Sequence, residues 1–409
     1  MRRRRLPPRE PSEANKRKVD LATRAFMLPS RIILNRFARL SRSGVENLPD
    51  GPALVLSNHV SLFDPWFTIT AARRTIHFMA TAVAMQHSLI GPVLRNFGSV
   101  PKKKFVADVG AIRMIKKWAD LGDLVASYPE GQRSWDGELL PLLPGVEALV
   151  RLLKIPVVPV RVLNADRVMP RWAEQRRHGT VKIEFGQAKS FARKTPPAEI
   201  RAWLEQALRI DQSDERNHFP VRGRRLAMGI ENPIFRCPSC FAWDSLTPSE
   251  DHVRCGACRA TWRVDTHNCL IAESGGARSM TIVEARAALR ARNLEEDFIV
   301  DPARFAQTGE IARSEPAELL DIRGEQPRTI ARGQLALDAE RLRFIDPAGE
   351  DRLNLPLHAL QNANVELRRQ LAFRTKDEAH YEVVLPRQSP LEWAERVEHW
   401  RTASTRDAP

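Results

Sequence analysis

Between residues 44 and 186, short apolar runs alternate with longer segments of helical period, and this alternation restricts the stretch to an α/β domain. The runs at 53–56, 124–128 and 156–162 are short and apolar, as buried strands are. Residues 181–185 read as a further strand, expected at an edge. Helical spacing marks 79–96 and 145–153, and a trailing helix is expected at 197–210. The domain is therefore predicted to span 41–210.

Upstream, residues 1–40 are strongly basic. The opening Arg run with Leu6-Pro7-Pro8 behind it lacks the apolar stretch of a secretory signal. From 15 to 40, Val19, Leu21, Phe26, Leu28, Ile32, Ile33 and Phe37 are interleaved with Lys16, Arg17, Lys18, Arg24, Arg31, Arg36 and Arg39. This is an amphipathic pattern, and Pro29 is expected to break it into two helices. Such a helix either lies in a membrane interface or packs on the next domain with its charges in water. The chain's 409 residues suit about two or three domains, and its net charge of +14 favours anionic partners. No segment reaches the roughly 18 uninterrupted apolar residues of a membrane span. The expected location is cytoplasmic, peripheral at the inner face of the membrane, against an anionic lipid surface.

The segment Ser57-Asn58-His59-Val60-Ser61-Leu62-Phe63-Asp64-Pro65 carries a pair with chemical potential. Acyl transfer to an alcohol needs a base near the hydroxyl, and imidazole titrates in the right range. A carboxylate would fix the imidazole's tautomer and stabilise the cation it forms. Asp64, five residues after His59 around a turn, is placed to do so. Direct attack on a thioester needs no enzyme nucleophile. Asp64-Pro65 ahead of an apolar run also fits a helix N-cap with proline in the first turn.

A second candidate element, Tyr128-Pro129-Glu130-Gly131-Gln132-Arg133-Ser134, ends an apolar strand in a turn. Open α/β sheets bind ligands at the carboxyl ends of their strands. Arg133 offers a bidentate fork for phosphate there.

In order and spacing, these segments resemble the glycerolipid acyltransferase family, which includes the lysophosphatidic acid acyltransferases. Residues 44–49, the apolar strand and the N-H-x-S-x-x-D stretch match its first block. Residues 130–134 match the third and 155–160 the fourth, with Gly145 between them. The resemblance covers roughly residues 44–190. It implies that His59 is the general base and Asp64 its partner. It also implies that Glu130, Gly131, Arg133 and Ser134 help to hold an acceptor phosphate, and that Pro156 shapes the acceptor or acyl site. The donor would be a thioester on coenzyme A or acyl carrier protein. The acceptor would be a lysophospholipid such as 1-acylglycerol-3-phosphate. The family's second block usually ends in a phosphate-binding Arg, whereas Lys104 stands there in this chain. Lysine brings charge without the planar fork, and 102–104 also fits a solvated basic loop.

Cys237-Pro238-Ser239-Cys240 and Cys255-Gly256-Ala257-Cys258 are two C-x-x-C knuckles. Their spacing suits four thiolates around a structural Zn²⁺ and resembles a zinc ribbon, predicted over 233–265. A thioredoxin-like redox pair would need only one C-x-x-C. The arginines flanking the knuckles match the basic character of the whole chain, so nucleic acid is not the expected partner.

Residues 266–327 form a weakly patterned linker region with one helix expected at 281–292. From 328 to 402, short strands recur at close spacing and end in a helix presenting Trp393, Val397 and Trp400 on one face. This pattern is similar to a pleckstrin-homology-like or GRAM-like module, for lipid headgroups, for a protein partner or for docking. Two functional readings follow. One is an acyltransferase working on lysophospholipids. The other is a catalytically weak protein that senses lipid through a degenerate domain and recruits partners through the ribbon and C-terminal module.

Overall fold

In a computed structural model the chain divides into two units, Met1–Arg171 with Arg176–Gly223, and Trp172–Gln175 with Arg224–Pro409. The described residues are 9–81, 85, 90–102, 108–212, 214, 217, 219–292, 298–322, 328–366, 368–377 and 379–406.

The first unit contains α1 (Glu13–Asn35), β1 (Ala38–Ser43), β2 (Ala53–Ser57), α2 (Asp64–Ala72), β3 (Ile76–Thr81), α3 (Ile90–Asn96), β4 (Val100–Lys102), α4 (Val109–Asp120) and β5 (Leu124–Ser127). After these come α5 (Val146–Leu153), β6 (Val157–Leu163), α6 (Ala165–Val168), β7 (His178–Phe185), α7 (Pro197–Leu208) and β8 (Val221–Arg222). One eight-stranded sheet runs β1-β7-β6-β2-β5-β3-β4, with β8 also paired to β7. Its pairs are parallel except β6 with β7 and β7 with β8.

The continuous apolar run of β2 follows from its position in the sheet. Val55 joins one core, with Phe67 of α2 and Val158 and Val160 of β6. Leu54 and Leu56 point the opposite way, into a second core with Trp118 of α4, Val150 of α5 and Leu204 of α7. Both faces are covered, so no position of β2 is polar until Ser57. Each fully buried Leu or Val side chain is worth about 1.5–3 kcal/mol.

Three expectations are corrected in this unit. β7 is interior, because β1 pairs with it in parallel over six residues. The alternation of buried Val181, Ile183 and Phe185 with half-buried neighbours describes its two faces, not its place in the sheet order. β1 itself, Ala38–Ser43, is too polar to read as a strand. Residues 76–81 form β3 where a helix from 79 was expected, and 90–96 of that segment is helical. Finally, α1 is one helix through Pro29. Pro29 is exposed, while Val19, Thr23, Ser30 and Leu34 are buried on the opposite stripe and hold both halves to the domain. Ser30 Oγ lies 2.9 Å from Thr70 Oγ1 and accepts from Trp66 Nε1, locking α1 to α2.

A buried polar relay ties the start of α1 to the sheet. Lys16 Nζ is 3.1 Å from Asp123 Oδ1, Asp123 Oδ2 is 3.1 Å from His77 Nε2, and His77 Nδ1 is 3.1 Å from the carbonyl oxygen of Gly98. Trp118 stacks on the His77 ring. Gly98 has φ +64°, and a Cβ there would sit 2.7 Å from His77 Nδ1, so only glycine fits.

The second unit begins with a five-stranded antiparallel sheet of β9 (Leu246–Ser249), β10 (His252–Cys255), β11 (Thr261–Val264), β12 (Cys269–Ser274) and β13 (Met280–Thr281). Pro248 sits on β9, an edge strand, where a missing donor costs no ladder bond. The strands continue past 265 into the region expected to be a linker. Helix α8 (Ile282–Ala291) starts at a capping box, with Thr281 Oγ1 accepting from the Glu284 amide and Glu284 Oε2 from the Thr281 amide. Helix α9 (Pro302–Thr308) follows.

The C-terminal sheet comprises β14 (Glu310–Arg313), β15 (Ala317–Asp321), β16 (Arg328–Asp338), β17 (Arg341–Ile345), β18 (Asp351–Pro356), β19 (Leu360–Val365), β20 (Gln370–Thr375) and β21 (His380–Val384). Its order is β18-β17-β16-β15-β21-β20-β19, with β14 on β16. The sheet thus takes two strands from ahead of residue 328, where it was expected to start. Helix α10 (Pro390–Arg406) closes the chain with Trp393 and Val397 fully buried. On α10, Glu392 and Arg396 form a buried ion pair, and the Arg396 guanidinium lies 4.0 Å from the Trp243 ring centroid. Burial raises the Glu392 carboxyl to about 8, against the pull of Arg396.

Candidate active site

Strands β2 and β5 are parallel neighbours, with Leu56 beside Ser127. Their carboxyl ends therefore release the 58–63 loop and the 128–145 loop next to each other, although the two are far apart in the chain. Asn58 fastens the first loop to β6, its Nδ2 donating to the Val162 carbonyl and its Oδ1 accepting from the Val162 amide at 2.7 Å.

His59 Nδ1 is 2.8 Å from Asp64 Oδ2. The same oxygen accepts from the amides of Val60 at 2.8 Å and Ser61 at 2.9 Å. Asp64 stands in the first turn of α2, but its carboxylate turns back onto the preceding loop. It caps no amide of its own helix, and this decides against the N-cap reading. Two amide donors hold the carboxylate as an acceptor, so Nδ1 carries the imidazole proton and Nε2 keeps its lone pair. Asp64 is fully buried, whereas the His59 side chain is 19% exposed. The imidazole is stacked on Tyr128, with ring centroids 3.9 Å apart and planes at 14°. Burial lowers the His59 pKa below its ordinary 6.5. Asp64 works against this, and the charges of Arg133 and Arg171 add to it.

The second loop grips the first. Glu130 Oε1 accepts from the His59 amide at 2.6 Å, and Oε2 accepts from the Leu140 amide at 2.7 Å. The Ser134 amide donates to the His59 carbonyl at 2.8 Å. Burial pushes the Glu130 carboxyl up to about 8, against the two amide donors. Gly131 has φ +68°, and a Cβ there would lie 2.3 Å from Leu143 Cδ1. Ser134 Oγ donates to Asp136 Oδ1 at 3.0 Å and accepts from the Gly137 amide.

Residues 39–163 match the sequence profile of a family described as Acyltransferase. Two curated relatives align with 36% of this chain. They are chloroplast 1-acyl-sn-glycerol-3-phosphate acyltransferases, from Brassica napus at 29% identity and 44% of its length, and from Arabidopsis thaliana at 28% identity and 42% of its length. The chain thus spans under half the length of these relatives. Among solved structures it is similar to the 1-acyl-sn-glycerophosphate acyltransferase PlsC of Thermotoga maritima. That likeness has a TM-score of 0.42 and 22% identity over 51% of this chain and 80% of that one.

Residues 39–163 form an acyltransferase-family domain.

Within this acyltransferase domain, the fold brings together His59, Asp64, Glu130, Gly131, Arg133 and Ser134. It does not give them all the expected roles. Glu130 and Ser134 are buried and bonded inward, so they shape the His59 loop and are not offered to a phosphate. Pro156 is at the other end of the sheet. Its carbonyl accepts from the Leu54 amide at the amino end of β2, whereas His59 follows the carboxyl end. Lys104 lies outside the described residues. Sequence reasoning missed Tyr128 as the partner of the imidazole face. It also missed Arg171, whose Nη1 donates to the Arg133 carbonyl at 2.9 Å and whose guanidinium lies 4.4 Å from the Trp135 ring centroid. Tyr128 directly precedes Pro129-Glu130, so its place in the motif was visible. Nothing near Arg171 in the sequence marked it.

The four cysteines of the knuckles converge in the second unit, with all sulfurs within 4.8 Å of one another. Cys237 Sγ is 3.7 Å from Cys258 Sγ, and Cys240 Sγ is 3.7 Å from Cys255 Sγ. A tetrahedral ion with bonds of about 2.3 Å needs sulfurs about 3.8 Å apart, so the donor set fits zinc. The two knuckles are built alike. The Cys237 amide bonds the Ala242 carbonyl as the Cys255 amide bonds that of Ala260. The Phe241 and Arg259 amides each bond back to the first cysteine of their knuckle, both residues at positive φ. Cys269 lies on β12, outside the cluster.

Proposed function

We propose that the chain moves a fatty acyl group from a thioester on coenzyme A or acyl carrier protein to the hydroxyl of a lysophospholipid such as 1-acylglycerol-3-phosphate. The observation that carries this reading is the buried Asp64 oxygen, which takes His59 Nδ1–H and two amides at once. His59 Nε2 accepts the proton of the acceptor hydroxyl while its oxygen attacks the thioester carbonyl. The carbonyl pair moves onto its oxygen. When that intermediate collapses, the carbon–sulfur bond breaks and the leaving thiolate takes the proton back from the imidazolium. Asp64 stabilises the cation between these two transfers.

The working surface in this reading is anionic lipid at the inner, cytoplasmic face of a membrane. In support, α1 exposes Leu21, Ile32 and Ile33 among Arg17, Lys18, Arg24 and Arg31. No helix among the described residues is long and apolar enough to cross a membrane. Cys237, Cys240, Cys255 and Cys258 would hold a structural zinc ion. Four thiolates leave no open coordination position, and a thiol cluster suits a reducing compartment. Seven antiparallel strands in one path, closed by a C-terminal helix, support a pleckstrin-homology-like module that binds a headgroup or a protein.

The test is release of free coenzyme A from acyl-CoA in the presence of 1-acylglycerol-3-phosphate, with His59→Ala as control. Turnover by the native chain and its loss in the variant are expected. Equal rates in both would remove His59 as base, and silence in both would favour the lipid-sensing reading.

A further inference from the structure

The imidazole of His59 is constrained at one edge and on one face. At the edge, Nδ1 is 2.8 Å from Asp64 Oδ2. On the face, the Tyr128 ring lies nearly parallel, with centroids 3.9 Å apart and planes at 14°. A single hydrogen bond sets a distance and leaves the tilt of the ring soft. A flat ring against the face removes that tilt, so it fixes the direction in which Nε2 points. Tyr128 is itself held firmly. It is the first residue after β5, and it packs against the core that contains Val55, Phe67 and Phe78. Phe78 of β3, beside Ala126 of β5, has its centroid 5.7 Å from that of Tyr128 and its plane at 20°. Pro129 restricts the Tyr128 backbone to extended conformations, and the Tyr128 carbonyl accepts from the Gly131 amide at 3.1 Å.

An aromatic face does more for a cation than for a neutral ring, because its quadrupole presents negative charge. In the proposed acyl transfer His59 is neutral at the start and cationic between the two proton transfers. Stabilisation by a ring face is therefore stronger in the transition state than in the ground state, which is the condition for catalysis. Burial and the charges of Arg133 and Arg171 oppose the imidazolium, and Asp64 favours it. Glu130 holds the His59 amide and not the ring. Burial, with the charge of Asp64 added, raises the Tyr128 hydroxyl well above its ordinary 10, so the face offered to His59 is that of a neutral phenol.

We propose that Tyr128 is a positioning residue for His59, whose ring face fixes the imidazole plane and stabilises the imidazolium formed between the two proton transfers. This rests on the acyl-transfer reading of His59, although ionisation of the imidazole can be measured without turnover.

The experiment places phenylalanine and its di- and trifluorinated derivatives at position 128 of the full-length chain. Fluorine nearly conserves the shape of the ring and withdraws the negative charge from its face. Acyl-CoA and 1-acylglycerol-3-phosphate are the substrates, and the midpoint of His59 ionisation is read separately from its ring carbons by NMR. Tyr128→Phe should retain the native rate, because the face is kept. Along the fluorine series kcat should fall stepwise, roughly three- to tenfold in all, with both KM values constant. The His59 midpoint should fall in the same order, further below 6.5, because the cation loses support. A residue that only fills space would move neither, since the shape is conserved. With turnover measurable, a constant kcat or a constant midpoint along the series overturns the inference. A loss already complete in Tyr128→Phe overturns it in favour of the hydroxyl, and a change confined to either KM overturns it in favour of a substrate contact. If the fluorinated chains do not fold, Tyr128→Leu takes their place. Its kcat should fall below that of Tyr128→Phe at constant KM, and equal rates overturn the inference. If the native chain turns over no acceptor, the acyl-transfer reading fails and the midpoint decides alone. A fall along the series sustains the role of the ring face, and a constant midpoint removes it.

Discussion

The His59 site and the four-cysteine cluster are both built from short motifs, but they reach their geometry by opposite routes. In the cluster each knuckle is complete within six residues, and the second repeats the hydrogen bonds of the first. Only the meeting of two similar pieces is left to the fold. At the His59 site the pair itself is local, since Asp64 is five residues away. The backbone that aims it is held from elsewhere, by Glu130 and by the Ser134 amide. A metal cluster needs donor atoms at one radius, and a loop of four residues supplies that. A general base needs a direction, and direction comes from the strands on either side.

This contrast can be broken in several places. The largest effect is expected from Asp64→Asn. The amide oxygen can still receive the Val60 and Ser61 amides, but the charge opposing the imidazolium is gone. Initial rates of coenzyme A release should drop roughly 10³- to 10⁴-fold with the fold intact by circular dichroism. A drop of less than tenfold would mean that the pair is a structural cap. Next is Cys237→Ser with Cys240→Ser. About one zinc per chain should be lost by atomic emission. Thermal melting of the second unit should come at lower temperature, while melting of the first unit should be unmoved. Metal retained at full occupancy would contradict the four-thiolate assignment.

Smaller is Glu130→Ala, which releases the His59 and Leu140 amides. The kcat should fall roughly 10- to 100-fold, the scale of leaving buried amide donors unsatisfied, with the KM for the acceptor little changed. If the KM rose instead with kcat constant, Glu130 would be a binding residue after all. The smallest effect is in the pH profile. Burial keeps His59 below its ordinary 6.5, and in the proposed acyl transfer the neutral ring is the working form. Activity is therefore retained at pH 6.5 and is lost only as the pH falls through the lowered value. In kcat/KM, Arg171→Gln removes one of the charges that lower it, so the acid limb should move upward. A native limb centred above 6.5 would contradict the buried imidazole.

By itself the sequence determined the parts that depend on spacing along the chain. Uniformly apolar runs alternating with helical period specified an α/β domain, because a strand covered on both faces has no polar position. The N-H-x-S-x-x-D stretch specified a paired imidazole and carboxylate, because five residues around one turn bring the two side chains together. Two C-x-x-C knuckles specified a four-thiol cluster for the same local reason. The tertiary structure alone decided what depends on the order of strands. It made β7 interior by laying the polar strand β1 beside it, and it kept α1 in one piece by packing both sides of Pro29. It set Pro156 at the amino end of the sheet, away from His59. It turned Glu130 inward to a backbone amide, and it brought Arg171 to Arg133. These outcomes join residues tens of positions apart. Hydrophobic period reports which face of an element is buried, and it carries no record of which element lies beside it.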